Sequence, residues 1–286
     1  MRDREKVFIE ELTQSKTSFG IGDDGVVLGD FVVANDAFFE GIHFKREWGS
    51  LDRIFKKAFL VNLSDIYAMN AIPKFALLTL CIPKDFKEAK ELARIFSAIA
   101  QGFGVKIVGG DTIVGEKLHF SFTILGKKSK KTLFRKPIQK GDFLAYLSPR
   151  SPLNLSNKQA FGKNLKHLKN ALRFDQILKN SRFDFPILYP KMILAFNEIA
   201  KAGMDISDGI FAELARLAKL NNVDFKFFQP KGEWFYSPEE YQMLYALGAK
   251  KLKKAQNLAR KFRHNLVVFA RAKRGKYKKI KKNWHS

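Results

Sequence analysis

The sequence predicts an α/β protein of the α+β type, built in two halves. Two observations carry this reading. Strand-type apolar runs alternate with amphipathic helical segments along the chain, and a lysine-rich stretch over residues 127–142, with Pro137 and Gly141, interrupts that alternation near the middle. With 286 residues there is chain enough for two cores of ordinary size, and the division falls at residues 1–135 and 136–286.

Composition narrows the function classes. A hydrophobic fraction of 46% excludes wholesale disorder. Every apolar run is interrupted by Asn, Asp, Lys or Pro before it reaches membrane length, so no membrane partner is expected. The opening Met-Arg-Asp-Arg-Glu-Lys lacks the apolar core of a signal peptide, and the single cysteine, Cys81, rules out an internal disulfide. Both fit a cytoplasmic protein. The net charge of +24 is compatible with a polyanionic partner, but it is concentrated in runs such as Lys127–Lys131, Lys250–Lys254 and Lys273–Lys282. No stripe of surface aromatics accompanies them. Solvated lysine faces with a weak attraction for small anions therefore rank above nucleic-acid binding.

In chain order, Val7, Phe8, Glu11 and Leu12 give residues 4–15 the spacing of a short amphipathic helix. Val26 to Val33 reads as two strands joined by the turn Gly29-Asp30. Residues 52–72 are expected to be helical, ending at Pro73, with Phe59, Leu63, Ile66 and Asn70 on one stripe and Asn62, Asp65 and Met69 on another. A strand over Phe75–Ile82, a helix over Phe86–Phe103 and strands over Lys106–Val108 and His119–Leu125 complete the first half. The second half opens with the apolar run Phe143–Leu147 and the loop Ser148–Leu153. Helices are expected over 165–178, within 186–202 and over 210–220, and another begins at Ser237. Strand 225–228, the basic helix 252–262 and strand 266–270 follow, and Trp284 stands near the end of a basic tail.

The chemistry lies in carboxylates set beside glycines. Asp65 interrupts an otherwise apolar helix, and an unpartnered charge buried there would cost several kcal/mol, so it must meet either solvent or a cation. Gly20-Ile-Gly-Asp-Asp-Gly25, Val108-Gly-Gly-Asp-Thr112 and Met204-Asp-Ile-Ser-Asp-Gly209 hold further acids in loops beside apolar strands. The 26–33 hairpin returns the chain to the end where it started, which brings Asp23, Asp24 and Asp36 together. Hard divalent cations such as Mg²⁺ take oxygen ligands of this kind and are commonly accompanied by substrate phosphates. Gly109 and Gly110 would let backbone approach a phosphate, and Arg135 could offer it a guanidinium. Ser207 and Asp208 also have a plainer reading as helix caps, and His43 has one as a structural histidine.

Taken together and in this order, Gly20-Ile-Gly-Asp-Asp24, Asp36 with Glu40-Gly-Ile-His-Phe44, Val61-Asn-Leu-Ser-Asp65 with Pro73, Val108-Gly-Gly-Asp-Thr112 and Met204-Asp-Ile-Ser-Asp-Gly209 resemble the thiamine-monophosphate kinases. That family belongs with aminoimidazole ribonucleotide synthetase and selenophosphate synthetase. The resemblance spans roughly residues 19–240. It implies transfer of the ATP γ-phosphoryl group to thiamine monophosphate, with several Mg²⁺ ions held by Asp24, Asp36, Asp65, Asp111, Asp205 and Asp208; Asn35 stands where the family usually has a small hydroxyl residue, and its amide oxygen is the candidate for that metal ligand. It also implies ATP contacts from Gly110, Asp111, Arg135 and Ser207, and thiamine-phosphate contacts from His43, Glu239 and Trp284. No side chain is needed as a general base, because the acceptor phosphate is already ionised. The implied fold is a homodimer whose N-terminal strands pair across the interface as a barrel. Three departures stand out: Ala34-Asn35 before Asp36, Ser237-Pro-Glu-Glu-Tyr-Gln242 in place of Gly-Gly-Glu-Asp-Tyr-Glu, and Ser148-Pro-Arg-Ser-Pro152 where a glycine loop is usual. The competing readings are a synthetase of the same superfamily and a basic nucleic-acid-binding protein without catalysis.

Overall fold

A computed structural model describes residues 4–87, 89–149, 162–175, 177, 179–228 and 232–277. Trp284 and residues 150–153 of the expected loop lie outside these. Two five-stranded sheets organise the chain. The first has the order β1-β2-β5-β3-β4, formed by β1 (Val26–Leu28), β2 (Phe31–Phe39), β3 (Ala71–Pro83), β4 (Lys106–Gly115) and β5 (His119–Lys128). Its β3–β4 pair is parallel, joined by helix α3 (Ala89–Gly102), while the other neighbours are antiparallel. The Gly29-Asp30 turn forms as expected, with Leu28 opposite Phe31.

Helix α2 (Leu51–Ala68) and α3 cover one face of this sheet. Phe55 meets Phe120 edge to face at 4.8 Å and Phe59 meets Phe122 at 5.1 Å, so the aromatic positions of helix and strand interlock. The opposite face leaves Leu77 and Ile113 exposed, and all of β4 except Gly115 is exposed at the sheet edge.

The second sheet, β7-β9-β6-β10-β8, is antiparallel throughout. Its strands are β6 (Phe143–Pro149), β7 (Ala202–Asp205), β8 (Val223–Phe227), β9 (Met243–Leu247) and β10 (His264–Arg274). Alternate residues sort into two cores, as the two-residue period of a strand requires. Ala145, Leu147, Tyr245 and Leu247 join helices α5 (Pro190–Asn197) and α7 (Leu252–Lys261) and the core under α2. Leu144, Tyr146, Leu244 and Ala246 pack under α6 (Ile210–Asn221). The first of these cores runs through both halves of the chain. Helices α1 (Arg4–Gln14) and α4 (Asn164–Phe174) lie near their expected places.

Several elements differ from expectation. The α2 helix stops at Ala68, and Asn70 adopts a left-handed conformation instead of continuing it. Pro73 therefore lies inside β3, at the register irregularity against β5 between Pro73 and Phe75, where its missing N–H is tolerated. The Gly109-Gly110-Asp111 stretch belongs to strand β4 rather than to a loop after a strand. A Cβ on Gly110 would sit 1.8 Å from the Leu78 carbonyl oxygen, so the pairing of β3 with β4 demands glycine there. Ser237–Gln242 is not helical and leads into β9, whose five residues are all buried. A short apolar run buried on both faces carries no alternation by which a strand could be read.

Candidate active site

The turn after the first glycines, helix α2 and the end of β7 each deliver one carboxylate to a single point. Asp24, Asp65 and Asp205 each offer an oxygen, all within 4.8 Å of one another. Asp36 joins from the helix-facing side of β2 and shares a side-chain hydrogen bond with Asp65. Neighbouring groups set the approach. The Asp36 N–H donates to Asn62 Oδ1 at 2.9 Å, and Ser64 Oγ donates to Asp205 at 2.5 Å. Asn62-Leu-Ser-Asp65 thus does three jobs on successive faces of one helix: it places β2, places β7 and supplies an acid.

Burial governs the electrostatics. It pushes the Asp24 carboxyl up to about 6, against the pull of Arg135. Asp65 is raised well above the ordinary carboxylate range, first by burial and then by the charges of Asp36, Asp205 and Asp24. Asp205 is raised likewise, by burial and then by Asp24. Arg135 is the cation at the cluster. Its guanidinium pairs with Asp24 and donates to the Gly22 carbonyl at 3.2 Å, while its backbone N–H donates to Asp23 at 2.6 Å. Four converging acids against one guanidinium in a buried place cannot all ionise unless a further cation joins them. That donor set, oxygen only and anionic, suits Mg²⁺.

The remaining expected residues distribute themselves unevenly. Asp208 is adjacent but separately engaged, paired with Arg216, and its N–H donates to Glu213 at 2.9 Å. Ser207 Oγ donates to the same carboxylate at 3.3 Å. The plainer capping reading does not hold, since the N-cap of α6 is Gly209 and no side chain caps it; the buried Glu213 reaches back instead. Asn35 lies on the face of β2 opposite Asp36, where its amide donates to Ser121 at 2.9 Å and Thr123 at 2.8 Å, so it is not brought to the acids. Gly110 and Asp111 lie on exposed β4, with Asp111 opposite Thr79. From β2 to β4 is three strand spacings, about 14 Å, so Asp111 does not reach the cluster of its own chain.

On the other side of the cluster, Glu239 forms an ion pair with Lys57 at 2.6 Å. Lys57 is 6% exposed and lies over the Phe183 ring at 4.5 Å. Lys57, Trp48 and Arg53 line a narrow crevice together with His43, whose Nδ1 accepts the Phe39 N–H at 3.0 Å. Sequence reasoning missed Lys57. It lies eight residues before Asp65 on α2, about 12 Å away along the axis and about 80° round it, an interval that carries no signal of its own. Tyr241 was missed too. It is buried, and its hydroxyl is pushed well above its usual range by burial and then by the charges of Glu239, Asp36, Asp205 and Asp65.

Residues 22–127 match the family described as AIR synthase related protein, N-terminal domain. The thiamine-monophosphate kinase of Buchnera aphidicola (subspecies Schizaphis graminum) is 29% identical over 264 residues, covering 82% of this chain and 78% of that protein. That of Methanopyrus kandleri is 31% identical over 207 residues, covering 70% and 62%. Among solved structures, an AaThiL complex with AMPPCP and TMP has a TM-score of 0.77 at 21% identity, covering 96% of this chain and 94% of that one. Among the described residues no helix is long and apolar enough to cross a membrane. The ordered acid motifs, the two-sheet fold and these relatives agree in likening the chain to the thiamine-monophosphate kinases and, over residues 22–127, to the AIR synthase related family.

Proposed function

We propose that this protein phosphorylates thiamine monophosphate with ATP, giving thiamine diphosphate and ADP. The observation that carries the reading is the convergence of Asp24, Asp65 and Asp205, with the buried Lys57 about two turns away on α2. The relatives support it, since they are named for this activity and one solved complex holds an ATP analogue with TMP. A non-bridging oxygen of the acceptor phosphate attacks the γ-phosphorus, and the bond from that phosphorus to the β–γ bridging oxygen breaks. Because the acceptor is already anionic, the protein has to position and neutralise rather than remove a proton.

Asp24, Asp36, Asp65 and Asp205 would hold Mg²⁺, with Asp208 beside them. Mg²⁺ bound there would offset phosphate charge and orient the reacting oxygens. Arg135 and Ser207 serve the nucleotide side. Lys57 serves the acceptor phosphate, with His43, Glu239 and, in the tail, Trp284 toward thiamine. The position of Asp111 bears on assembly. It reaches an acid cluster only if a second copy supplies it, and the exposed β4 edge is the surface over which two copies would pair into the family's barrel. The working form is therefore a homodimer in the cytoplasm, with residues 1–135 forming the metal-binding and dimerisation domain.

The test is ADP formation from ATP with thiamine monophosphate, thiamine or an unrelated phosphomonoester as acceptor, each with Mg²⁺ and with EDTA. Turnover only with thiamine monophosphate and Mg²⁺ is expected. ADP release that is independent of the acceptor, or preference for another phosphate, would replace this reading with a synthetase or a different kinase.

A further inference from the structure

The segment Ser237–Gln242 takes a shape that its sequence does not favour. Glu239 (φ 53°) and Tyr241 (φ 47°) are both left-handed, a region that neither residue type prefers. On one side the segment is pinned to the acid motif: the Glu239 N–H donates to the Ser207 carbonyl at 2.6 Å and the Tyr241 N–H to the Ile206 carbonyl at 2.9 Å. On the other side Glu240 enters the core, where it is fully buried with Arg182 at 2% exposure. Arg182 Nε donates to Glu240 Oε2 at 3.2 Å, and its other nitrogen donates to the Glu240 backbone carbonyl. Glu240 Oε1 also accepts from Ser237 Oγ at 2.7 Å and from the Gly162 N–H at 2.9 Å, while Asn164 Nδ2 donates to the Glu239 carbonyl at 2.9 Å.

Glu239 meets Lys57, and Tyr241 is held by its backbone to Ile206, the neighbour of the cluster acid Asp205, while the residue between them is locked into the interior. A buried ion pair is poor evidence of net stabilisation, since apolar residues of equal volume often do as well. Its better-attested use is to specify one arrangement. We infer that Arg182 is a positioning residue for the acceptor side of the site: through the buried Arg182–Glu240 pair it holds the strained turn that sets Glu239 against Lys57 and Tyr241 against the acid cluster. It touches no reacting atom. Ser237 shares the task, its hydroxyl holding Glu240.

This inference rests on the proposed kinase activity for one of its readouts and is independent of it for the other. In steady-state kinetics at a temperature well below unfolding, Arg182→Met is expected to raise KM for thiamine monophosphate at least tenfold, with KM for ATP changed less than threefold. Arg182→Lys should fall between it and the wild type. A merely structural role would lower Tm and leave both constants alone. Should Arg182→Met fail to fold, Glu240→Gln keeps the volume and the Ser237 and Gly162 hydrogen bonds, and should show the same split more weakly. In crystal structures of Glu240→Gln and Arg182→Met, Glu239 should have left Lys57. An unmoved Glu239 and unchanged KM values overturn the inference. A wild type that is inactive on thiamine monophosphate overturns the parent reading, and the crystal structures then decide this one.

Discussion

Replacing Asp65 by Asn should make the metal-free protein more stable while removing its turnover, and the size of the effect follows from the site. Were Asp65 charged, it would face Asp24 and Asp205 at oxygen separations within 4.8 Å. At an effective dielectric constant of about 20, each such pair repels by about 3.5 kcal/mol, about 7 kcal/mol for two. Taking up a proton is cheaper. A carboxyl whose ordinary value is 3.8, kept neutral at pH 7, costs about 4 kcal/mol at about 1.4 kcal/mol per pH unit. Asn pays neither cost, has the shape of the protonated acid and can still donate to Asp36. The expected gain is therefore up to about 4 kcal/mol at pH 7. With an unfolding entropy of about 0.6 kcal/mol/K for 286 residues, that is about 7 °C in Tm.

The sign with pH is fixed. A group whose folded pKa is raised binds more protons native than unfolded, so its penalty grows as pH rises above 3.8 and vanishes below it. The advantage of Asp65→Asn should thus shrink as pH falls and disappear near pH 4. Asp24, pushed up to about 6, acts in the same sense. Asp30 and Asp175, held low by hydrogen bonds from Lys127 and Lys45, act oppositely but are present in both proteins, so the difference isolates the cluster. Differential scanning calorimetry in EDTA from pH 4 to 8 measures it. A gain that does not vary with pH, or a destabilised variant that still turns over, would refute the argument that Asp65 is a crowded acid serving a cation. Mg²⁺ should raise Tm of the wild type and leave that of the variant nearly unchanged.

Three further outcomes follow from the same geometry. Arg135→Met leaves Asp24 buried without its ion partner, and urea unfolding in EDTA should show a loss of up to about 3 to 5 kcal/mol at high pH that lessens as pH falls toward about 6, because without the pull of Arg135 Asp24 takes up its proton at a higher pH than in the wild type. Lys131 donates to the carbonyls of Asn197 at 2.8 Å and Ala200 at 2.5 Å, just past α5, so Lys131→Met should cost about 2 kcal/mol of stability with kcat/KM unchanged. Val108→Lys, on the exposed β4 edge, should yield a monomer in sedimentation velocity and an inactive enzyme; an active monomer would show that Asp111 is not needed from a second copy.

Much of the fold could be read because its signals are local. The Gly29-Asp30 hairpin, the amphipathic spacing of α3 and the basic helix α7 lie where turn chemistry and periodicity put them. Pro73 misled because Asn70 had already ended the helix, and β9 was missed because burial on both faces erases alternation. Among the site residues, Asp24, Asp36, Asp65 and Asp205 were legible as acids that no apolar strand or helix needs. Lys57 was not, since a lone lysine in a helix normally marks a solvated face.

By itself the sequence determined which residues carry charge, where each lies along its own helix or strand, and that oxygen ligands outnumber every other kind of candidate donor. Tertiary structure alone decided which acids meet. Asp24 and Asp205 are brought together by the packing of α2 against both β2 and β7, whereas Asp111, in an equally suggestive motif, is held strands away at an open edge. The physical reason is that a carboxylate's environment, and with it its protonation and its partner, is set by chain that arrives from far away in sequence. Only packing says whether that chain brings another acid, as at Asp65, or a cation, as Lys57 does for Glu239.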